Sequence, residues 1–454
     1  MKINKYTSAL VALGIVSMAG VAQANTYIYL TGSTAARAAV FGALQTSGDV
    51  FSGASTEEST GATNGATDFV FEGNITGVGT VDIICHWTGS EAGIAAVAGQ
   101  TITQPDTAGI PGSSAGNFNL PGVPPVFLVG PADGGSWTAT APLTSDNGGR
   151  GITTPDLSMA DTSQAVSLTP QSSFHLNANW KSSSFNNTAA AQIGEVAVVP
   201  FTFMEGFDGS PSISNITTAE ANQLINGENP ASLITGNTAD SGTEVALVGR
   251  NKGSGTRVNE LLNIGHGVTT AVDQWAFNVS YSANVLTFGG TYTSGQTLQE
   301  IVNDGFDSGS SVAKVLEVNE TSATDGSSPV ALLGVVGISD AGTAHTGTSG
   351  TGSGAATFLT YNGVYEGDQS VIQGDYTYWG TEHLLGSVGI TGSPLTAGQS
   401  LYAGLETYIA ANYGTVSGNV TTASQSILIP ISLMQVTRSG SDSGYPSWVG
   451  AGHF

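Results

Sequence analysis

The stretch EVALVGRNKGSGTRVNELLNIG, residues 244–265, is the clearest indication of fold class in this chain. It starts with an apolar run that predicts a strand, passes through a turn of glycine, serine and threonine, and continues into a leucine-bearing run that predicts a helix. The turn carries Arg250, Lys252 and Arg257, whereas the chain as a whole is strongly acidic. One junction therefore predicts both a strand–loop–helix unit and a local concentration of positive charge.

The strand–loop–helix pattern occurs twice more. TYIYLTGSTAARAAVFGALQ at 26–45 and VDIICHWTGSEAGIAAVAG at 81–99 each run from a β-rich segment through a turn of small residues into an alanine-rich helix start. Strands that alternate with helices predict an α/β fold with largely parallel sheets. Further strands are predicted at 195–203, 330–339 and 426–436.

The first 24 residues have the pattern of a secretory signal peptide. A short basic start, MKINK, precedes an apolar run and the sequence Ala22-Gln23-Ala24, which is typical of a cleavage site. No later run approaches about 20 uninterrupted apolar residues, so no membrane-spanning segment is predicted. We therefore expect cleavage after Ala24 and an exported protein, located in the periplasm or outside the cell.

The composition limits the partners of the chain. It has 34 acidic and 10 basic residues and a formal net charge of −24. Nucleic acids and anionic membranes require basic patches, so neither is an expected partner. A small anion is compatible with this charge, because backbone N–H groups at a helix N-terminus can bind one without net positive charge. Cys85 is the only cysteine, so no intramolecular disulfide can form, and we expect a small buried residue there.

Two segments depart from the strand–loop–helix pattern. Residues 100–150 are dense in glycine, proline and serine, which predicts an elaborated surface loop. Residues 341–356, AGTAHTGTSGTGSGAA, have the composition of a flexible linker.

The three junctions together predict an anion-binding site. The first N–H groups of a helix have no intrahelical partner, and the helix dipole favours negative charge there. Glycines let the backbone approach a ligand, hydroxyl groups add donors, and an arginine can hold an oxyanion bidentately. Once Lys2 and Lys5 are removed with the signal peptide, eight of the ten basic residues remain. Four of these eight lie in or beside the loops: Arg37, Arg250, Lys252 and Arg257.

In four motifs the chain resembles the phosphate-binding proteins of bacterial ABC transporters, which are class II periplasmic binding proteins. The family's first loop is similar to Thr31-Gly32-Ser33-Thr34 and its second to Gly89-Ser90-Glu91-Ala92-Gly93. Its ligand-accepting aspartate is similar to Asp161 within DLSMADTSQ. Its most specific element, Arg-x-x-Gly-Ser-Gly-Thr, matches Arg250 through Thr256. The motifs follow the family's order along the chain.

The resemblance implies a two-lobed α/β fold of the periplasmic-binding-protein type II, in which each lobe is a central sheet flanked by helices and a hinge joins the lobes. The first lobe would comprise residues 25–195 and 366–454, with 100–150 as an insertion, and the second lobe residues 196–365. The implied protein is a monomer without a cofactor and is not an enzyme. It would capture inorganic phosphate or a similar oxyanion and present it to an ABC permease.

The resemblance also implies a role for each site residue. Hydroxyl and backbone groups would donate to the oxyanion, and Arg250 would add a charge-assisted pair. Asp161 would accept a hydrogen bond from a protonated ligand oxygen, which would separate hydrogen phosphate from sulfate. The predicted ligand-binding residues are Thr31, Gly32, Ser33, Thr34, Ser90, Asp161, Arg250, Gly253, Ser254, Gly255 and Thr256.

Three residues depart from the family pattern. Lys252 stands where related sequences often have an acidic residue, and it adds positive charge. Glu91 stands where a small residue is usual, and a carboxylate pointing into the site would repel an anion. Ala35 replaces a bulky aromatic that is common after the first loop.

The residues also allow other functions. An extracellular structural or adhesion protein that keeps the fold without transport is favoured by the Gly/Ser/Thr richness, the low charge density and the insertion. Gly112-Ser113-Ser114-Ala115-Gly116 fits the G-x-S-x-G hydrolase pattern but lies between prolines, where the required strand and helix are not expected. NDGFDSGS at 303–310 fits a turn better than a calcium loop, and YTYWGTEHLL at 376–385 fits a core strand better than a carbohydrate platform.

Overall fold

A computed structural model describes the chain at residues 26–59, 68–87, 89–97, 103–105, 117–119, 155–167, 194–251, 253–268, 270–277, 279–282, 285–288, 298–301, 305–306, 308–318, 324–325, 328–348, 354–387, 390–414, 427–438 and 447–448. The predicted signal peptide, the serine motif at 112–116 and Lys252 lie outside the described residues, as do all but six residues of the predicted insertion.

The described residues form 23 strands. They are β1 (Thr26–Gly32), β2 (Thr56–Ser59), β3 (Asp68–Ile75), β4 (Gly79–Trp87), β5 (Thr103–Pro105), β6 (Asn117–Asn119), β7 (Leu157–Ala160), β8 (Glu195–Glu205), β9 (Asn215–Ile216), β10 (Asn229–Pro230), β11 (Glu244–Val248), β12 (Trp275–Phe277), β13 (Val279–Ser282), β14 (Val285–Phe288), β15 (Leu298–Glu300), β16 (Thr324–Asp325), β17 (Ser328–Gly337), β18 (Thr357–Phe358), β19 (Thr360–Tyr361), β20 (Trp379–Gly386), β21 (Ile429–Pro430), β22 (Val436–Thr437) and β23 (Ser447–Trp448).

Nine α-helices occur in the same ranges. They are α1 (Arg37–Gln45), α2 (Ser90–Val97), α3 (Thr218–Leu224), α4 (Ser232–Thr235), α5 (Gly255–Asn263), α6 (Gly309–Leu316), α7 (Ile338–Thr346), α8 (Asp368–Gln373) and α9 (Gly392–Tyr413). Each of the three predicted junctions is present as β1–α1, β4–α2 and β11–α5. None of the helices in the described part of the chain has the length and apolar character needed to cross a membrane.

Thirteen of the strands form one sheet, in the order β10-β11-β17-β8-β20-β7-β1-β4-β3-β2, with β16, β18 and β21 paired beside it. The predicted α/β class, with a large sheet flanked by helices, is confirmed. The prediction of largely parallel sheets is wrong. Parallel pairing joins β1 to β4 and β7, and β11 to β17, whereas the long strands β8 and β20 enter between these groups in antiparallel register.

Strand β8 connects two parts of the sheet along its length. Its residues 195–200 pair with β20, and its residues 201–205 pair with β17. We call β20, β7, β1, β4, β3 and β2 the first sheet segment, and β17, β11 and β10 the second sheet segment. The two segments are therefore offset along β8 by about half of its length.

The strand directions make the two segments meet at their carboxyl ends. Strand β20 is antiparallel to both β7 and β8, so β7, β1 and β4 run in the direction of β8. Strand β17 is antiparallel to β8, so β17 and β11 run in the opposite direction. Because the segments are offset along β8, the carboxyl ends of β7, β1 and β4 face those of β17 and β11. In open α/β sheets this edge is where ligands bind.

Strand β11 shows why its apolar run is continuous rather than alternating. Val245 and Leu247 belong to one buried cluster, which extends into the first sheet segment. Ala246 and Val248 point to the other face and belong to a second cluster beneath α6 and α7. Successive strand residues point to opposite faces, so a strand covered on both faces is apolar at every position.

Two local sequence predictions are wrong. The predicted linker at 341–356 begins inside α7, because Ala341 and Ala344 are completely buried there and Gly347 ends the helix in left-handed conformation. The predicted strand at 426–436 is broken into β21, a single 3₁₀ turn at Ile431–Leu433, and β22.

Two other expectations are confirmed. Tyr376 and Tyr378, just before β20, and Trp379, its first residue, are all buried, so the segment 376–385 packs in the core as predicted. Cys85 is buried in β4.

The aromatic cluster between α1 and β3 allows a test of this core. Phe71 is completely buried, and its ring lies edge-on to that of Phe41, with 5.1 Å between centroids. We expect Phe71→Ala to lower the free energy of unfolding by about 3–5 kcal/mol, measured by urea denaturation, because it leaves a cavity. The control is Leu233→Ala, since Leu233 is 56% exposed. Equal effects of the two substitutions would contradict this packing.

Candidate anion-binding site

A cavity of about 500 Å³ lies where the carboxyl ends of the two sheet segments face each other. Val199 and Phe201, at the point where β8 passes from one segment to the other, form part of its wall. The volume is within the range of roughly 300–1,000 Å³ that is common for ligand pockets. The lining residues are Ser33, Thr34, Ala35, Arg37, Ala38, Gly89, Ser90, Asp161, Val199, Phe201, Arg250, Ser254, Gly255, Thr256, Ser308, Gly309, Ser310, Gly337, Ile338, Ser339, Asp340 and Ile427.

Five helices begin at this cavity. The first residues of α1, α2, α5, α6 and α7 all line it, namely Arg37, Ser90, Gly255, Gly309 and Ile338. The first N–H groups of a helix are not used within the helix, and each helix dipole places partial positive charge at this end. Five such ends around one space make it a favourable environment for an anion.

The first loop, between β1 and α1, is held close to β7. The Ser33 backbone N–H donates to the Met159 carbonyl at 2.8 Å. Gly32 has a φ of +114°, and a Cβ there would lie 1.9 Å from the Met159 oxygen, so only glycine fits. This tight turn brings Ser33 and Thr34 to the cavity wall.

The second loop, between β4 and α2, binds Asp161. The Ser90 hydroxyl donates to the Asp161 carboxylate and accepts from the Asp161 backbone N–H at 3.3 Å. Asp161 follows the carboxyl end of β7 directly and is only 4% exposed. The Asn259 side chain of α5 donates to the Asp161 carbonyl at 2.8 Å, which joins the end of β7 to α5.

The third loop, between β11 and α5, supplies the arginine. Arg250 is buried, and its Nε donates to the Phe306 carbonyl at 3.2 Å. Ser254 is the N-cap residue of α5, but its side chain makes no capping hydrogen bond there and lines the cavity. The Gly253 carbonyl accepts from the Glu91 backbone N–H at 3.2 Å, so the second and third loops are in direct contact.

The charged groups of the cavity shift one another's pKa values. Burial raises the pKa of Asp161, and the Ser90 hydrogen bond and the Arg250 and His383 charges oppose that rise. Burial likewise raises the pKa of Asp340, against the attraction of Arg250 and Arg37. Burial lowers the pKa of Arg37, and Asp340 opposes this. Two arginines and two aspartates therefore interact in one enclosed space.

Eight of the eleven predicted site residues line the cavity: Ser33, Thr34, Ser90, Asp161, Arg250, Ser254, Gly255 and Thr256. The other three do not line the cavity: Thr31 and Gly32 end β1, and Gly253 lies in the third loop. Ala35 does line it. Arg257 is only 3% exposed and donates to the Arg250 carbonyl at 3.5 Å, so its charge is behind the loop.

Glu91 does not point into the cavity. It is completely buried, and its carboxylate accepts a hydrogen bond from the Thr162 hydroxyl at 2.9 Å. The repulsion considered for an inward-pointing carboxylate therefore does not arise from this residue.

Sequence reasoning missed the part of the site that α6 and α7 supply, and it left Arg37 out of the predicted site. Ser308 caps α6 by accepting from the Ser311 backbone N–H; of the segment predicted as a turn at 303–310, residues 309–310 begin this helix and residues 303, 304 and 307 lie outside the described residues. At the other missed segment, strand β17 ends at Gly337 and α7 begins directly at Ile338, so no extended turn of small residues marks the junction. The missed lining residues are Arg37, Ser308, Gly309, Ser310, Ser339 and Asp340.

No protein-family model and no curated protein sequence matches the chain. A protein named as a phosphate ABC transporter substrate-binding protein from Clostridium perfringens, solved with bound phosphate, is 12% identical over 86% of this chain and 95% of its own, with a TM-score of 0.36. An ABC-type phosphate transport receptor from Vibrio cholerae is 12% identical over 58% of this chain and 80% of its own, with a TM-score of 0.32.

PstS from Borrelia burgdorferi is 10% identical over 86% of this chain and 94% of its own, with a TM-score of 0.34. The similarity to these solved structures is distant, and the function proposed below depends on the geometry of the cavity.

Gly255 offers a test of how closely α5 approaches Asp161. A Cβ on Gly255 would lie 1.5 Å from the Asp161 Oδ1 and 2.9 Å from the Ser90 Oγ. We expect Gly255→Ala to displace Asp161 and to lower the free energy of unfolding by about 1–3 kcal/mol in urea denaturation. Gly267→Ala is the control, because nothing lies within 4 Å of a Cβ there. An unchanged stability of Gly255→Ala would show that α5 is farther from Asp161.

Proposed function

We propose that this chain is an exported solute-binding protein that holds phosphate, or a similar tetrahedral oxyanion, in the cavity and delivers it to an ABC-type importer. The observation that supports this most directly is the convergence of five helix N-termini and Arg250 on one cavity. A tetrahedral oxyanion has acceptor oxygens in several directions, and donors from different helices can reach them at the same time.

The position of Asp161 favours a ligand that carries a proton. Its carboxylate lies among the donors, beside Ser90 and Gly255, and would repel a fully ionised anion. Hydrogen phosphate has an O–H that can donate to this carboxylate, whereas sulfate at neutral pH has none. We therefore propose that Asp161 selects phosphate over sulfate, since a buried carboxylate that faces an anion with no proton to donate would be costly.

The sheet also supports a mechanism of capture. The chain crosses between the two sheet segments within β8 and again between β17 and β20, and the loops and helices that follow strands of both segments line the cavity. We propose two lobes, 25–195 with 366–454 and 196–365, that close by bending at these crossings. The Glu91–Gly253 and Asn259–Asp161 hydrogen bonds would then be contacts of the closed form.

The proposal is tested by titration calorimetry of the mature chain with phosphate, sulfate and arsenate. We expect phosphate to bind and sulfate to be rejected. At a phosphate concentration about 100 times its dissociation constant, the free energy of unfolding should rise by roughly 2.7 kcal/mol, which a thermal shift would show. Arg250→Ala should abolish binding, and Asp161→Asn should weaken phosphate and reduce the discrimination against sulfate.

Two charge-matched variants serve as controls. Lys314→Ala removes a positive charge in the last turn of α6, and Asp208→Asn removes a carboxylate from an exposed turn; neither residue lines the cavity. Both should bind phosphate as the wild type does. Absence of heat and of thermal shift with all three anions would reject the receptor function and favour an extracellular structural or adhesion protein.

A further inference from the structure

We propose that Glu382, which lies behind the cavity, sets the direction in which the Ser33 hydroxyl donates its hydrogen bond and thereby couples anion binding to uptake of a proton. This inference rests on the proposed function of the cavity. It assigns a positioning role to Glu382, because this residue acts on the anion through Ser33.

The Glu382 carboxyl group is buried, and only one of its two oxygens has a hydrogen-bond partner among the described residues. It lies on β20 with no exposed surface, and its Oε2 is 3.2 Å from the Ser33 Oγ. Its Oε1 is buried and has no hydrogen-bond partner among the described residues. An ionised carboxylate with one unpaired oxygen in a protein interior is costly, whereas the neutral acid loses much less on burial.

Ser33 connects this carboxyl to the cavity. It is 1% exposed, it lines the cavity, and its Oγ accepts from the Ala35 backbone N–H at 3.2 Å. A hydroxyl has one proton to donate, and the position of that proton follows the surrounding network. Ser33 can therefore donate either to Glu382 or to a ligand, but not fully to both.

The two protonation states of Glu382 give opposite results. When Glu382 is ionised, its Oε2 accepts the hydrogen bond of the Ser33 hydroxyl. The Ser33 oxygen then presents only lone pairs to the cavity. When Glu382 is neutral, its own O–H donates to the Ser33 Oγ, and the Ser33 proton is available to an anion. An anion in the cavity therefore favours the neutral acid, so that binding and protonation support each other.

The surrounding charges act in the same direction. Burial raises the pKa of Glu382, the charge of Asp161 raises it further, and the Ser33 hydrogen bond lowers it. A bound anion would add a second negative charge near the carboxyl and raise this pKa again.

Titratable and charged groups also occur in the elements and loops near Glu382, where most of them act on its neighbours. Asp161 follows β7, His383 is next on β20 and acts on Asp161, and Glu91 of α2 is bonded to the adjacent Thr162. Two further groups follow β11. Arg250, in the third loop, also acts on Asp161, and Glu260 of α5 acts on Tyr378, which immediately precedes β20. Among the residues that the structure describes, the direct electrostatic and hydrogen-bond partners of Glu382 are Asp161 and Ser33.

The test compares wild type with Glu382→Gln, whose amide has the same shape and is a permanent donor. Phosphate affinity is measured by calorimetry from about pH 5 to about pH 9, in pairs of buffers with different ionisation enthalpies to count protons. The titrations of phosphate and of Asp161 are common to both proteins and largely cancel in the ratio of their dissociation constants. Above the pKa of Glu382, we expect wild type to lose about tenfold more affinity per pH unit than Glu382→Gln. It should also take up one more proton per bound anion.

Two further variants separate this role from a general effect of burial. Ser33→Ala removes the connecting hydroxyl and should reduce this pH dependence to the part that comes from charge alone, with Glu382 still present. Glu366→Gln is the matched control, because Glu366 is also buried with a raised pKa but does not line the cavity. It should keep the wild-type pH profile and proton count.

A measurement without ligand supports or opposes the same assignment. The folded-state pKa of Glu382 is raised, so between its ordinary and its raised pKa the native protein binds more protons than the unfolded chain. This makes the stability of wild type fall as the pH rises through that window. Thermal unfolding should therefore show a smaller loss of stability with rising pH for Glu382→Gln than for wild type.

The outcomes are distinguishable. If wild type binds none of the three anions, the proposed function fails and this inference fails with it. If wild type binds phosphate and Glu382→Gln shows the same pH profile and proton uptake, the function stands and only the role of Glu382 is overturned. If Glu366→Gln changed the pH profile and the proton uptake as much as Glu382→Gln does, the role of Glu382 would also be overturned, because any buried carboxyl group would then have the same effect.

Discussion

The offset pairing of β8 is the constraint on which the rest of this structure depends. One strand is shared by two sheet segments, with β20 beside its first residues and β17 beside its last. If both partners paired with the same residues of β8, the oppositely directed strands would place their carboxyl ends at opposite edges of one sheet. The offset instead brings the two sets of carboxyl ends face to face, and every loop of the candidate site is a consequence of that meeting.

The cavity combines many weak donors with few full charges. Its arginines, Arg37 and Arg250, interact with Asp340, and Arg250 also interacts with Asp161. Partial charges at helix ends are fixed by the backbone and need no counter-ion, so they can attract an anion without large rearrangement. Under the proposed function, acidic groups among these donors would act as selectors, since each one favours a ligand that can donate a proton to it.

The candidate site was more predictable from the sequence than the sheet around it. The run from Arg250 to Thr256 carries its own local signal, because glycine turns, hydroxyl residues and a following helix are all visible within a few positions. The insertion of β8 and β20 between parallel groups has no local signal, since EVAVVPFTF has the same composition whether its neighbours are parallel or antiparallel. Asp340 was missed for a related reason: the predicted strand at 330–339 extended past Gly337, whereas β17 ends there and α7 begins at Ile338.

The five helix ends also have a consequence for the rate at which an anion arrives. The chain has a net charge of −24, so at a distance it repels the ligand that its cavity attracts. Helix-end charges act only over about one turn, whereas the net charge acts over a Debye length of roughly 10 Å or more at low salt. Added salt therefore screens the long-range repulsion more than the local attraction. If the cavity binds an anion as proposed, capture should therefore become faster with rising ionic strength.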